Sequence, residues 1–231
     1  MVFPFIFIAV LGSTLQANLG RVSSYNLVGF TFTGVLAMTL FQSSATGIIS
    51  LIEDRENDFS KEMFVAPVRR TTIVAGKVLG ETLVALVQGA GIIAFSLLIG
   101  VRMSLTEVLL LLPVALACCL LGGAFGVATL GALPNQRTAQ QIFPFFILPQ
   151  YFLAGIFAPI KFLPLYLDVL SHLSPMRYAV DLTRVAFYNG RSEYGQAVLD
   201  GPLIDLLTIS FLFLAGLGIG TFLFARKERN R

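Results

Sequence analysis

Apolar runs alternate with short polar breaks along the whole of this chain. The runs cover about residues 1–17, 27–52, 72–100, 107–130, 142–160 and 203–225. A helix that spans a bilayer needs about 20 predominantly apolar residues, which the later runs approach or exceed and the first does not quite reach. The pattern predicts an all-α integral membrane protein with six transmembrane helices, folded as a single domain over residues 1–231.

The composition supports a membrane protein and excludes a soluble one. Hydrophobic residues make up 56% of the chain and charged residues 13%, about half of the roughly 25% that soluble domains carry. The net charge of +3 does not point to nucleic acid, because the bases lie mostly at the ends of apolar runs. Cys118 and Cys119 are adjacent within one run, so they form no disulfide framework and no metal-ligand pattern.

The stretch from residue 53 to residue 70, called the polar island below, interrupts the apolar pattern with five acids and four bases. Phe59, Met63 and Ala66 recur at helical spacing and predict one apolar stripe. The acids come first and Arg69 and Arg70 last, an order that suits the dipole of a helix. The island is predicted to be an amphipathic surface helix, and an ordinary solvated helix fits the pattern equally well.

The distribution of bases predicts the orientation. Arg69 and Arg70 abut the third run, and four bases follow the sixth run directly. Because positive residues concentrate on the cytoplasmic side, the island and both termini are expected in the cytoplasm, with residues 161–202 outside. This arrangement indicates a multi-pass protein of the cytoplasmic (inner) membrane.

Prolines mark the last third of the chain. Pro144, Pro149 and Pro159 predict a broken fifth span that is either kinked or re-entrant, because proline frees backbone groups within a helix. Pro164 and Pro175 are expected to begin two helices, at about residues 165–173 and 176–188, lying at the outer face. On the second of these, residues at i, i+4 and i+7 predict a ladder of ion pairs: Arg177, Asp181 and Arg184. A solvated face of an interfacial helix explains the same spacing.

Polar residues occur within or beside two predicted spans. Lys77 and Glu81 are one helical turn apart in the third run and predict a structural ion pair. The fifth run combines glutamines with many aromatic side chains. Its candidates for lining a translocation path are Gln140, Gln141, Phe145, Phe146, Gln150, Tyr151 and Phe152. Packing between helices and an interfacial aromatic belt would also place aromatic residues there.

Three motifs resemble one family of membrane proteins. The segments EDRE (53–56) and APVRR (66–70), followed by Gly76 and Lys77, resemble the cytoplasmic motif of type-2 ATP-binding-cassette (ABC) exporter permeases. The segments FPFFILPQYFLAGIFAPIKFLP (143–164) and LSPMRYAVDLTR (173–184) are similar to the fifth span and the outer segment of these permeases. With the count of six spans, the resemblance covers nearly the whole chain.

The resemblance implies a function and two protein partners. It implies export of a drug, lipid, hydrophobic small molecule or glycan by a dimer with a second copy of the permease or a homologous one. ATP and Mg²⁺ would be bound by a separate nucleotide-binding subunit, and the island would be the coupling helix that docks there. The residues implied to contact that ATPase are Glu56, Phe59, Lys61, Glu62, Met63, Phe64, Arg69 and Arg70. Arg177, Asp181 and Arg184 would belong to an outer gate.

The family usually begins with an amphipathic connecting helix before the first span. Here Met1 falls at the edge of the first apolar run. The island is therefore expected to be the main contact with the ATPase.

Two other classes of protein remain as alternatives. A secondary transporter driven by an ion gradient would call for charged residues at mid-membrane and for internal repeats. Glu81 is the one candidate for such a charge, it lies off-centre, and no clear repeat is evident in the sequence. A membrane enzyme would need a constellation of catalytic residues within the spans, but His172 is the single histidine and no intramembrane pair of aspartates is evident. Co-purification with an ATPase would distinguish a permease from both, and uptake without ATP would favour the secondary transporter.

Overall fold

The computed structural model of the protein describes residues 2–19, 26–56, 70–131, 133–161 and 163–229. These residues are 83% helical and contain no strand. The helices in chain order are α1 (Val2–Ile6), a π-helical segment (Phe7–Gly12), α2 (Ser13–Leu19), α3 (Leu27–Gly47), α4 (Ile49–Glu56), α5 (Arg70–Leu98), α6 (Leu105–Leu130), α7 (Gln136–Leu153), α8 (Leu165–His172), α9 (Pro175–Phe187), α10 (Tyr194–Ala197) and α11 (Pro202–Arg229). The all-α fold class is confirmed.

Four helical stretches of the described residues are long and apolar enough to cross a membrane. They are Leu27–Asp54, Thr71–Leu98, Leu105–Leu130 and Pro202–Leu223, and they correspond to the second, third, fourth and sixth predicted spans. The first predicted span corresponds to a shorter apolar helix, Pro4–Asn18. The full layout of six spans stays a prediction.

Polar side chains fix where several of these helices begin. Asn26 caps α3 by accepting hydrogen bonds from the backbone amides of Val28 and Gly29, at 2.9 and 3.3 Å. At the start of α6, Ser104 and Glu107 each accept a hydrogen bond from the backbone amide of the other, which is a capping box. These caps satisfy backbone donors that a helix leaves without partners at its start.

Helix α3 is the centre of the bundle. Sixteen of its 21 residues are buried, and α5, α6, α9 and the π-helical segment pack around it. Its contact with α6 is close because α6 presents glycines there. A Cβ atom on Gly122 would lie 2.2 Å from the carbonyl oxygen of Phe41, and one on Gly126 would lie 2.5 Å from that of Ala45.

A second pair of glycines brings α11 against α6. A Cβ atom on Gly216 would lie 3.2 Å from the carbonyl oxygen of Ala124, and one on Gly220 would lie 2.5 Å from the Val127 side chain. The spacings Gly122/Gly126 and Gly216/Gly220 also suggest contacts between two copies of the chain. In the structure, both pairs of glycines pack against helices of the same chain.

The proline-rich fifth run is broken as predicted, but the break does not lie at its first two prolines. Helix α7 continues through Pro144 and Pro149 and ends at Leu153. The chain then turns at Gly155, whose φ of 67° lies in the left-handed region that glycine adopts without strain. The break therefore lies within the predicted run of residues 142–160, at Gly155 and not at Pro144 or Pro149. The turn is buried against α3, where Ile156 packs on Gly34.

The two helices predicted after Pro164 and Pro175 are present as α8 and α9, but only α8 has an exposed face. Leu165, Tyr166 and Val169 of α8 are exposed, as on an amphipathic surface helix. In α9, by contrast, 11 of 13 residues are buried, and the helix lies among α3, α6 and α11. The interpretation of α9 as an interfacial helix with a solvated face is wrong, because neighbouring helices cover it.

Candidate functional site

The residues predicted to contact an ATPase fall almost entirely outside the described part of the chain. Positions 57–69 are not described, and they include Phe59, Lys61, Glu62, Met63, Phe64 and Arg69. Glu56 is the last residue of α4 and Arg70 the first of α5, and the placement of their side chains is also not described. The coupling role of the island stays a prediction.

The start of α7 lies beside the end of α4, next to the island. The side-chain amide of Gln136 donates a hydrogen bond of 3.2 Å to the carboxylate of Glu53. At its other end, α7 meets the beginning of α9. Helix α7 therefore runs from the island side of the bundle to the side that carries α9.

Most of the path candidates on α7 share one exposed face. Gln140, Gln141, Phe145, Phe146 and Phe152 are all exposed, and Phe145 and Phe152 are 79% and 70% accessible. Within the described residues, no helix of the chain covers this face. It is available either to a translocation path, to a second copy of the chain or to lipid.

Gln150 lies on the opposite side of α7 and holds two helices together. It is 7% exposed, and its side-chain amide donates to the carbonyl oxygen of Phe146 at 2.9 Å. Its side-chain oxygen accepts from the Ser174 hydroxyl and from the Met176 amide, both at 3.4 Å. These contacts place Gln150 between α7 and α9, away from the exposed face.

Tyr151 contacts a residue that lines a polar pocket beside α3, the central helix. Its hydroxyl donates a hydrogen bond to the side-chain oxygen of Gln42 on α3. Gln42 in turn lines a cavity of about 250 Å³ between α1, α3 and α5. The residues that line this cavity, called the polar pocket below, are Pro4, Met38, Thr39, Gln42, Ser43, Thr46 and Gln88.

Every residue that lines the polar pocket is uncharged. Its hydrogen-bonding groups are the amides of Gln42 and Gln88 and the hydroxyls of Thr39, Ser43 and Thr46. The Thr39 hydroxyl donates to the carbonyl oxygen of Val35 at 2.8 Å, which leaves its oxygen able to accept from a ligand. Polar residues within a membrane span are expensive and usually mark a substrate pathway. The polar pocket is therefore a candidate site for a neutral ligand that forms hydrogen bonds.

The spacing of polar residues along α3 is a sequence signal for this pocket. Residues 39, 42, 43 and 46 recur at i, i+3, i+4 and i+7, which is one face of a helix. Small polar residues in a spanning run also fit close packing between helices, so this face alone does not specify a cavity. Their contribution to one cavity depends on Gln88 and Pro4, which lie far away in sequence.

The three residues of the predicted ladder on α9 reach different parts of the chain. Arg177 is 5% exposed and donates to the Ser171 hydroxyl at 2.7 Å. It also pairs with the carboxylates of Asp168 and Asp200, at 3.5 and 3.2 Å. Arg184 donates to the carbonyl oxygen of Gly155 at 2.6 Å. A role as an outer gate stays a prediction.

Asp181 is fully buried and binds the loop before α11. Its two carboxylate oxygens accept hydrogen bonds from the backbone amides of Leu199 and Asp200, at 2.8 and 2.7 Å. Burial raises the pKa of the Asp181 carboxyl, and the two amide bonds act in the opposite direction because they stabilise the ionised form. Asp181 is thus a buried acid held in place by the backbone.

An ion pair that the sequence does not reveal connects the loop after α9 to the start of α6. The guanidinium of Arg191 forms two parallel hydrogen bonds with the carboxylate of Glu107, at 2.8 and 2.7 Å. It also donates to the carbonyl oxygen of Arg102 at 2.7 Å. The bond to Glu107 raises the pKa of Arg191. The two partners are 84 residues apart, so no spacing rule would pair them.

The predicted pair of Lys77 and Glu81 is confirmed. The ammonium nitrogen of Lys77 lies 3.2 Å from a carboxylate oxygen of Glu81, one turn further along α5. Glu81 also packs against Gly47 of α3, where a Cβ atom would collide with its carboxylate. The pair therefore belongs to the contact between α3 and α5.

The sequence matches a family of transport proteins. The sequence model of the family described as "ABC-2 type transporter" matches residues 1–188. A putative transport permease, ycf38, of Cyanophora paradoxa is 24% identical over 188 residues, covering 80% of this chain and 65% of the relative. The ycf38 permease of Porphyra purpurea is 25% identical over 233 residues, covering 93% of this chain and 77% of the relative.

A bacterial relative shows a similar match. The inner membrane transport permease YadH of Escherichia coli K12 is 24% identical over 213 residues, covering 90% of this chain and 78% of YadH. The chain thus spans between about two thirds and four fifths of the length of these relatives.

Proposed function

Because this chain belongs to the ABC-2 type transporter family, we propose that it is the permease subunit of an ATP-driven exporter. Its apolar helices and its relatives indicate a multi-pass membrane protein with a transport function. The observation that carries the proposal is the polar pocket, a cavity with hydrogen-bonding groups inside a bundle of apolar helices.

The lining of the polar pocket narrows the class of substrate. It offers amide and hydroxyl groups and no formal charge, so it suits a neutral polar group more than an ion. The exposed aromatic face of α7 would contact the apolar part of the transported molecule. We therefore favour an amphipathic cargo, such as a glycolipid or an uncharged drug, over a strongly charged solute. An uncharged pocket also weighs against transport driven by an ion gradient.

Energy would come from a separate ATPase that binds ATP and Mg²⁺. The chain offers no nucleotide site by sequence, since the residues around Gly76 and Lys77 lack the first glycine and the Ser or Thr of a phosphate-binding loop. The ATPase would contact the island, beside the bond between Glu53 and Gln136. A movement of the island would then reach the start of α7 directly.

The proposed arrangement in the membrane follows the distribution of bases. The island and both termini would face the cytoplasm, and residues 161–202 would lie outside. Two copies of the permease, or this chain and a homologous one, would enclose the path. The exposed face of α7 is the surface that supports such pairing.

The experiment that tests the proposal measures ATPase activity of the permease reconstituted with its ATPase subunit. The probes are a neutral glycolipid, a fluorescent phosphatidylcholine and a hydrophobic cationic dye. We expect the neutral glycolipid to stimulate hydrolysis most. Thr39→Val and Gln42→Leu should weaken its apparent affinity about tenfold or more, since each removes a hydrogen-bonding group worth on the order of 1 kcal/mol and leaves a ligand group unpaired.

The matched control is Thr129→Val. Thr129 also bonds to the carbonyl oxygen of its own helix, at 2.8 Å, but it lies near the end of α6 outside the pocket. Wild-type stimulation in Thr39→Val and Gln42→Leu would contradict the assignment of the pocket. Uptake of the probes without ATP would contradict the proposal of an ATP-driven exporter.

A further inference from the structure

Three aspartate side chains converge where α9, the loop before α11 and the start of α11 meet. Asp181 lies on α9, Asp200 in the loop and Asp205 in the first turn of α11. One carboxylate oxygen from each lies within 4.8 Å of the others. Asp181 and Asp205 are fully buried, while Asp200 keeps 26% of its side chain accessible.

Asp205 is the member of this group whose position the fold does not explain. It is 0% exposed, and neither of its carboxylate oxygens has a hydrogen-bond partner among the described residues. A buried ionised carboxylate without a partner costs several kcal/mol, on the order of the stability of a whole domain. One of its oxygens lies within 4.8 Å of an oxygen of each of the other two carboxylates, so an additional group between them would account for its burial.

The surrounding charges leave an excess of negative charge. Asp168, Asp181, Asp200 and Asp205 face two guanidinium groups, those of Arg177 and Arg184. Arg177 is already bound to Asp168 and Asp200, and Arg184 to the carbonyl oxygen of Gly155. With all four carboxyls ionised and His172, which contacts Asp168, neutral, two negative charges remain, which is the charge that one divalent cation would neutralise.

The dimensions also fit a single ion. Calcium binds oxygen ligands at about 2.3–2.6 Å, so two ligands on opposite sides of the ion lie roughly 4.8 Å apart. The three carboxylate oxygens fall within that distance. Calcium accepts carboxylates, backbone carbonyls and water in flexible geometry, whereas magnesium demands a regular octahedron. The partly accessible Asp200 provides a route for an ion from solvent.

We propose that Asp181, Asp200 and Asp205 form a binding site for a divalent cation of the calcium type. The ion would join α9 and the start of α11 through the loop between them. It would supply the missing partner of Asp205 and stabilise the segment that is expected to lie outside the membrane. Sequence spacing gave no sign of this site, because its ligands come from three separate elements.

The test is calcium binding to the purified full-length chain, measured by titration calorimetry after treatment with a chelator. The wild-type protein is expected to bind one Ca²⁺ per chain in a saturable manner, and its unfolding temperature should rise with Ca²⁺ concentration. Asp205→Asn keeps the shape of the side chain and removes its charge. This variant should lose at least about tenfold in affinity, since a charged ligand is gone.

Asp168→Asn is the matched control. It also removes a carboxylate that contacts Arg177, but its side chain is 44% accessible and it is not one of the three converging ligands. This variant should lose much less affinity for Ca²⁺ than Asp205→Asn, because it removes a nearby charge but none of the three ligands. If Asp205→Asn does not fold, Asp200→Asn tests the same site from its accessible side and should also lose affinity.

Three results would overturn the proposal. One is the lack of saturable binding by the wild-type protein at millimolar Ca²⁺. Another is an equal response to K⁺, which would indicate a general effect of ionic strength. The third is stabilisation by acid without any response to Ca²⁺, which would show that Asp205 shares a proton with Asp181 instead of an ion.

Discussion

At the scale of single residues, long-range polar contacts hold the segment between α7 and α11 in place. Arg191 is the clearest example, because its guanidinium meets the Glu107 carboxylate through two parallel bonds and lies 4.2 Å above the ring of Phe187. Only arginine can form this pair of bonds, since lysine carries a single ammonium group. The contact fastens the loop after α9 to the first turn of α6.

We expect Arg191→Lys to destabilise the protein although it keeps the charge. The loss of a bidentate, partly buried contact should cost about 1–3 kcal/mol and lower the unfolding temperature by several degrees, measured in detergent. Arg102→Lys is the control, because the Arg102 side chain is exposed and only its carbonyl oxygen takes part. Equal unfolding temperatures for the two variants would contradict a stabilising role for the two parallel bonds between Arg191 and Glu107.

Sequence spacing predicted polar contacts within a helix and failed for contacts between helices. The pair of Lys77 and Glu81 follows from the i, i+4 rule and is present. Arg177 has the same type of spacing, yet it also reaches Asp200 and Asp168 on other elements. The reason is burial: α9 is surrounded by other elements, and polar side chains inside a bundle bond to whatever packs against them.

At the scale of helices, glycine decides how closely α6 approaches α3. A methyl group at Gly122 would meet backbone atoms of Phe41, which cannot move aside as a side chain can. A methyl group at Gly80 would meet nothing within 4 Å, although Gly80 is also in the interior of a spanning helix. The two positions therefore separate the packing effect from the intrinsic preference of alanine for helices.

We expect Gly122→Ala to destabilise the bundle by a few kcal/mol, because the helices must separate or shift. Gly80→Ala should be neutral or stabilising by about 0.5–1 kcal/mol, since alanine favours a helix. Unfolding monitored by circular dichroism in detergent compares the two. A Gly122→Ala variant as stable as Gly80→Ala would show that the close contact between α3 and α6 is not required.

The order of helices was predictable, and their depth in the bundle was not. Continuous apolar runs defined the four helices that are long enough to span, and Pro164 and Pro175 marked the starts of α8 and α9. Pro144 and Pro149 suggested the wrong position for the break, because both fit within α7 and the turn comes at Gly155. Hydropathy did not reveal that α9 is buried, because the hydropathy of a polar helix is the same whether other helices or water surround it.

At the scale of the whole molecule, the exposed face of α7 is the surface that our proposal assigns to pairing. Phe145 and Phe152 lie on it, while Val87 on α5 is similarly exposed at 71% and lies on a different apolar face. The free cysteines Cys118 and Cys119 are buried, so they leave a low background for cross-linking. The chain therefore permits a direct comparison of the two apolar faces.

We expect Phe152→Cys to form a disulfide-linked dimer in native membranes under mild oxidation. Val87→Cys should remain monomeric on a denaturing gel without reductant. Cross-linking of Val87→Cys alone would show that the copies pair through α5. Cross-linking at neither position would contradict pairing through α7.

The turn at Gly155 has a mechanical consequence for α7. The end of this helix is fastened by Gln150 to α9, by the bond from Arg184 to Gly155 and by the packing of Ile156 on Gly34. Its start is held by an exposed bond between Gln136 and Glu53. Because α4, which ends in the island, packs directly on the start of α7, a push at the island would be transmitted to this helix and resisted at its anchored end near Gly155.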